Sequence, residues 1–113
     1  MHEKPGGPPH VRLVHDEDRD RFEALAGDGV VGVLAYGPDP LRDGVRDLRS
    51  TVVSAEHGGQ GIGSALVRAA VQDSRERGLR LTATCWFARA WLERHPEHHD
   101  LLADVPEEGK DPR

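Results

Sequence analysis

The residues best placed to do chemistry lie between Thr51 and Arg77, where glycines gather ahead of a helical pattern: His57-Gly58-Gly59-Gln60-Gly61-Ile62-Gly63-Ser64-Ala65-Leu66. Glycines let the chain turn sharply and bring backbone N–H groups close to an anion. When such a turn opens a helix, the first free amides and the positive end of the dipole face one point. A diphosphate fits there without a lysine. A P-loop would need Gly-Lys-Ser/Thr after its glycines, and no lysine follows these. A dinucleotide fingerprint G-x-G-x-x-G fails too, because Ser64 or Leu66 falls at its last position. A glycine turn that only joins strand to helix is the plain alternative. Cys85 is the one cysteine, at the end of an alternating segment. It is either a thiolate nucleophile or a small buried apolar residue. His57 could accept a proton at neutral pH or be an idle loop residue. Arg89 and Arg94 could reach a phosphate or form a solvated face. His95, His98 and His99 share helical spacing, but Pro96 interrupts the turn, and no metal site is expected there.

These residues need elements to hold them. The apolar set Ile62, Leu66, Ala69 and Ala70, widened by Val67 and Val71, faces away from Ser64, Arg68, Gln72, Arg75 and Glu76. That describes a helix lying flat on a sheet, ended by Gly78. Before it, residues 10–14, 21–26, 30–36 and 47–53 read as strands, with Gly27-Asp28-Gly29 as a tight hairpin. The run 16–21 is a charged turn and 37–44 a loop. After it, 79–85 alternates as a strand. A helix between two strands of one sheet favours a parallel crossover. Residues 87–94 form a second helix, with a final turn over 97–102. The expected fold class is α/β (α+β): an antiparallel meander, a loop helix, a parallel strand and a C-terminal helix.

The chain has 113 residues, enough for one domain with a modest core. Residues 1–9, rich in Pro and Gly, and 105–113 read as disordered ends around a domain spanning 10–104. Only 4% of residues are aromatic, so Val, Leu and Ala must fill the core. The net charge of -5 disfavours nucleic-acid binding. One cysteine excludes an internal disulfide. With no spanning apolar run and no apolar leader, a cytoplasmic protein that binds no membrane is expected.

The ordered set Gly59-Gln60-Gly61-Ile62-Gly63-Ser64-Ala65-Leu66-Val67, Arg77-Gly78-Leu79, Cys85-x-Phe87 and Arg94-His95-Pro96-Glu97 resembles the GNAT acyl-CoA N-acyltransferases, in particular their minimal single-domain branch. The resemblance covers roughly residues 21–102. It implies acetyl-CoA or coenzyme A as cofactor, with its pyrophosphate on the loop and its pantetheine arm between parted strands, at 51–54 and 82–85. The implied cofactor-binding residues are Val53, Ser54, Gly59, Gln60, Gly61, Ile62, Gly63 and Ser64, with Arg89 and Arg94. The implied reaction is acetyl transfer to an amine by direct attack on the thioester, with Cys85 and His57 as catalytic candidates. The chain departs from the family pattern at Gly58, which replaces an Arg or Gln, and at Ser50 and Val52, which replace a histidine and a glutamate. Trp86 replaces a proline and Trp91 a tyrosine. A coenzyme A-binding or regulatory module without transfer is therefore the alternative.

Overall fold

The computed structural model describes residues 2–27 and 29–103. A six-stranded sheet runs in chain order: β1 (His2–Lys4), β2 (Arg12–Asp16), β3 (Arg21–Ala26), β4 (Gly29–Pro38), β5 (Val45–Val53) and β6 (Arg80–Ala83). Neighbours are antiparallel as far as β5, and β6 lies parallel to β5. The crossover between them is α1 (Ile62–Glu76), and α2 (Trp86–Glu93) follows β6. Short 3₁₀ turns occupy Glu17–Arg19, Ala55–His57 and Pro96–Leu101. This is the mixed meander-and-crossover architecture that the sequence pattern predicts.

Register decides which residues meet the helices. Leu13, Ala24 and Gly32 form one cross-strand row, and His15, Phe22, Leu34 and Thr51 the next. Both rows face the core, where Phe22, Leu34, Leu66, Val67, Leu81 and Trp91 are buried together. Gly32 sets how close α1 can come. A Cβ there would stand 3.0 Å from Ile62 Cγ2 and 3.1 Å from Leu66 Cδ1, so the helix seats directly on the strand backbone. At its other end α1 is closed by Gly78 in the left-handed conformation, φ 71°.

Several boundaries differ from expectation, among them β6, which ends at Ala83 rather than at 85, and β5, which starts at Val45 rather than at 47. The N-terminal lead is not without structure: His2, Glu3 and Lys4 pair with His15, Val14 and Leu13, so the domain begins before residue 10. Lys4 Nζ also reaches Asp73 Oδ1 on α1 at 2.9 Å. Both contacts depend on partners outside the segment, and a Pro/Gly-rich local composition does not show them. The loop expected at 37–44 is shorter, because Gly37 and Pro38 still pair with Asp47 and Arg46. The strand expected at 10–14 is shifted to Arg12–Asp16 by pairing with β3. At the C-terminal end Leu102 bridges to Leu81, and Ala103 N–H donates to Leu81 O at 2.8 Å. The tail at 105–113 and Asp28 of the hairpin lie outside the described residues. Among the described residues, no helix is long and apolar enough to cross a membrane.

Candidate functional site

After Val53 the chain leaves the sheet through the 3₁₀ turn at Ala55–His57 and enters the glycine loop. Gly59 has φ 79° and Gly61, the N-cap of α1, φ 81°, both in the region that suits glycine. A Cβ at either would meet nothing within 4 Å, so backbone conformation rather than crowding requires these glycines. No side chain caps α1, and the first intrahelical bond is donated by Ala65 N to Gly61 O at 3.0 Å. The amides of Ile62, Gly63 and Ser64 are therefore the orphan donors of the helix start, with the dipole behind them. They border a cavity of about 360 Å³ walled by Val53, His57, Gly58, Gly59, Gly61, Ile62, Gly63, Ser64 and Phe87.

Six of the eight loop-region residues expected at a cofactor line that cavity: Val53, Gly59, Gly61, Ile62, Gly63 and Ser64. Ser54 and Gln60 do not. Ser54 N–H is bonded to Val31 O at 2.8 Å, and Gln60 Oε1 lies 2.8 Å from His10 Nε2. Phe87, which is not among the expected cofactor-binding residues, is part of the wall. A Cβ on Gly63 would stand 2.9 Å from Phe87 Cζ, so the ring of α2 presses on the first turn of α1. The signal was a glycine inside the first turn of a helix, where propensity disfavours it.

The second feature is where two strands part. β5 and β6 pair from Val45↔Arg80 to Leu48↔Ala83, and Cys85 N–H still donates to Leu48 O at 3.0 Å. Beyond that point β5 continues to Val53 without β6 beside it. On its other side the β4–β5 register shifts between Ala35 and Tyr36, which pair with Ser50 and Leu48 and leave Arg49 unmatched. Such a bulge bends the strand that carries it. The parted segment is thus 49–53 facing Cys85, close to the expected 51–54. Thr82 lies inside the paired part.

Cys85 stands in this gap, 8% exposed, with Sγ 3.4 Å from Thr51 Oγ1. It is also the N-cap of α2, its sulfur accepting Ala88 N–H at 3.4 Å. His57 lies instead in the wall of the loop cavity, with Nδ1 buried and without a hydrogen-bond partner. The structure brings neither arginine to the loop. Arg89 donates to Ala83 O from Nη2 at 2.9 Å and lines a different cavity with Thr82, Leu92, Glu93 and His99. Arg94 is the C-cap of α2, about 10 Å along the helix from Phe87. Helix direction, which sequence spacing does not give, separates them from the amides.

The histidines after α2 have structural partners. His95 stacks on Trp91 at 3.8 Å and lies 2.7 Å, through Nδ1, from Trp91 O. His99 Nε2 is 2.8 Å from Leu92 O. Among the described residues no three His, Cys, Asp or Glu side chains converge as metal ligands would. Trp91 is 1% exposed, with His95 stacked on it and the Arg68 guanidinium 5.5 Å from its ring centre, so it packs the second helix.

A family model described as GCN5-related N-acetyl-transferase matches residues 21–101. Among solved structures, a GCN5-like protein from Staphylococcus aureus is 25% identical with a TM-score of 0.66, over 92% of this chain and 99% of that one. A GNAT-family protein from Desulfovibrio desulfuricans is 31% identical with a TM-score of 0.56, over 66% of this chain and 51% of that one. A transcriptional regulator from Bacillus halodurans is 25% identical with a TM-score of 0.50, over 87% of this chain and 63% of that one. No curated protein sequence matches the chain.

Proposed function

The chain belongs to the GCN5-related N-acetyltransferase family, and from that premise we propose that it binds acetyl-coenzyme A at the start of α1 and passes the acetyl group to an amine. One observation carries this reading: the uncapped first-turn amides of α1 share a glycine-lined cavity beside the point where β5 and β6 part. The cavity suits a pyrophosphate, because Ile62, Gly63 and Ser64 supply N–H donors and, among the described residues, no carboxylate lines the wall. Gly58, Gly59, Gly61 and Gly63 add backbone but no side chain to the wall. Paired with β4 on one side but not with β6 on the other, the segment 49–53 supplies peptide groups for an extended amide-bearing arm such as pantetheine, as an edge strand does.

In this reading the thioester carbonyl lies near Thr51 and Cys85. The amine nitrogen forms a bond to the carbonyl carbon, the C–S bond breaks, and the thiolate leaves with the cofactor. A backbone N–H of the parted edge steadies the oxyanion. Ser50 and Val52 offer no base, so the amine proton passes to solvent. His57, walled in with the loop glycines, serves the phosphate end rather than the amine. Cys85 orders the start of α2 and need not carry the acetyl group.

Calorimetry with coenzyme A and acetyl-coenzyme A tests binding; no heat at millimolar ligand overturns the proposal. Thiol release with a panel of polyamines, amino acids and lysine peptides then tests transfer. Binding without thiol release would favour a coenzyme A-binding module, the second reading, which the unreactive side chains at Ser50 and Val52 support.

A further inference from the structure

The bulge at Arg49 bends β5, but it does not explain why β6 stops at Ala83. Asp47 does. It pairs directly with Thr82 in the last part of the ladder, and its side chain is 12% exposed. Oδ1 accepts Thr82 Oγ1–H at 3.0 Å and the Thr84 backbone N–H at 3.0 Å, while Oδ2 accepts Thr84 Oγ1–H at 2.8 Å. Arg49 Nε stands 3.5 Å from Oδ2. A charged acceptor that takes a backbone N–H competes directly with any strand continuation that would use it. With Thr84 held in this way, Cys85 makes the final bond to Leu48, and its sulfur then caps α2.

We propose that Asp47 is a positioning residue that fixes where β5 and β6 part, and so holds open the slot proposed above for the pantetheine arm. It touches neither cofactor nor acceptor and acts through the Thr84 backbone. The inference rests on the cofactor reading, yet its first test does not. In ligand-free protein, Asp47→Leu is expected to let the ladder run on, so that Thr84 N–H takes over Leu48 O and stays protected while Cys85 N–H loses its protection and exchanges tenfold faster or more. Asp47→Asn, which keeps an acceptor for Thr84 N–H, is expected to restore most of that protection.

The second test compares coenzyme A with 3′-phosphoadenosine 5′-diphosphate, which has the diphosphate but no pantetheine arm. Asp47→Leu is expected to weaken coenzyme A about tenfold and leave the arm-less ligand within twofold. A general loss of structure would weaken both equally and overturn the proposal, as would unchanged exchange at Cys85. If Asp47→Leu does not fold, Thr82→Val with Thr84→Val removes two of the three donors, and a smaller shift in the same direction is expected. If the wild type does not bind coenzyme A, the cofactor reading falls, and the exchange measurement still decides the role of Asp47.

Discussion

Asp73 shows how much one side chain can carry. It is 2% exposed and accepts from Lys4 Nζ at 2.9 Å, Arg46 Nη1 at 3.0 Å and Arg77 Nε at 2.7 Å, with His15 Nδ1 3.5 Å away. Burial pushes its pKa up, but the hydrogen bonds from Lys4 and Arg46 outweigh that and hold it at about 2, against an ordinary 3.8. A folded value below the unfolded one means stabilisation that is complete above about pH 4 and is lost as pH falls through about 2. The shift corresponds to about 2 kcal/mol. Urea unfolding of wild type and Asp73→Asn from pH 2 to 5 should show curves that converge at the acid end, and parallel curves would refute this. His15 pulls in the same direction at higher pH. Burial lowers its pKa, so its contribution is lost as pH falls below about 6.5. Cys85→Ala removes the cap on α2 and should cost about 1 kcal/mol, read from chemical unfolding. Under direct attack it should leave thiol release largely intact; loss of turnover with retained binding would restore the covalent route.

At the scale of elements, the contact that matters most is between the first turn of α1 and the start of α2. Gly63 exists where it does because Phe87 leaves no room for a Cβ. Gly63→Ala should cost about 1–3 kcal/mol through overpacking and weaken coenzyme A binding by distorting the amide cradle. Phe87→Leu in the same background should recover part of both, measured by thermal melting and calorimetry; failure of the second change to compensate would show that the two residues do not share one seat. This contact also marks what the sequence could reveal. The span of α1 was legible because its signals are local: positive-φ glycines before and after a 3.6-residue apolar period. The glycine cradle was legible for the same reason. Phe87 as a wall, Arg89 turned to Ala83 O, and the Asp47–Thr84 bond were not, because each depends on how separate elements meet. β1 was hidden because three residues carry too little pattern to outweigh the prolines after them.

Over the whole molecule, the buried charge cluster and the cavity proposed for the cofactor sit at opposite ends of one helix. The amides at Ile62 to Ser64 face the cavity, whereas Asp73, eleven residues on and so about 16 Å along α1, gathers β1, β2 and β5. Arg46 completes that end, with its guanidinium 4.1 Å from the centre of the Tyr36 ring and Nη1 bonded to both Asp73 and Ser74. Tyr36 OH in turn lies 2.6 Å from His15 Nε2. A perturbation confined to this end should therefore change folding without changing ligand affinity. Lys4→Met is such a perturbation: it removes one charged hydrogen bond while Arg46 and Arg77 still neutralise Asp73. The cost should be about 1.5–3 kcal/mol, which in a domain of this size lowers Tm on the order of 10 °C. Removing residues 1–4 should lower it further by deleting β1, while the dissociation constant for coenzyme A at 10 °C stays within twofold of wild type. An unchanged Tm would mean that β1 and Lys4 stand outside the cooperative unit. A weakened ligand at unchanged Tm would mean that the two ends of α1 are coupled, through the seat of the helix on Gly32.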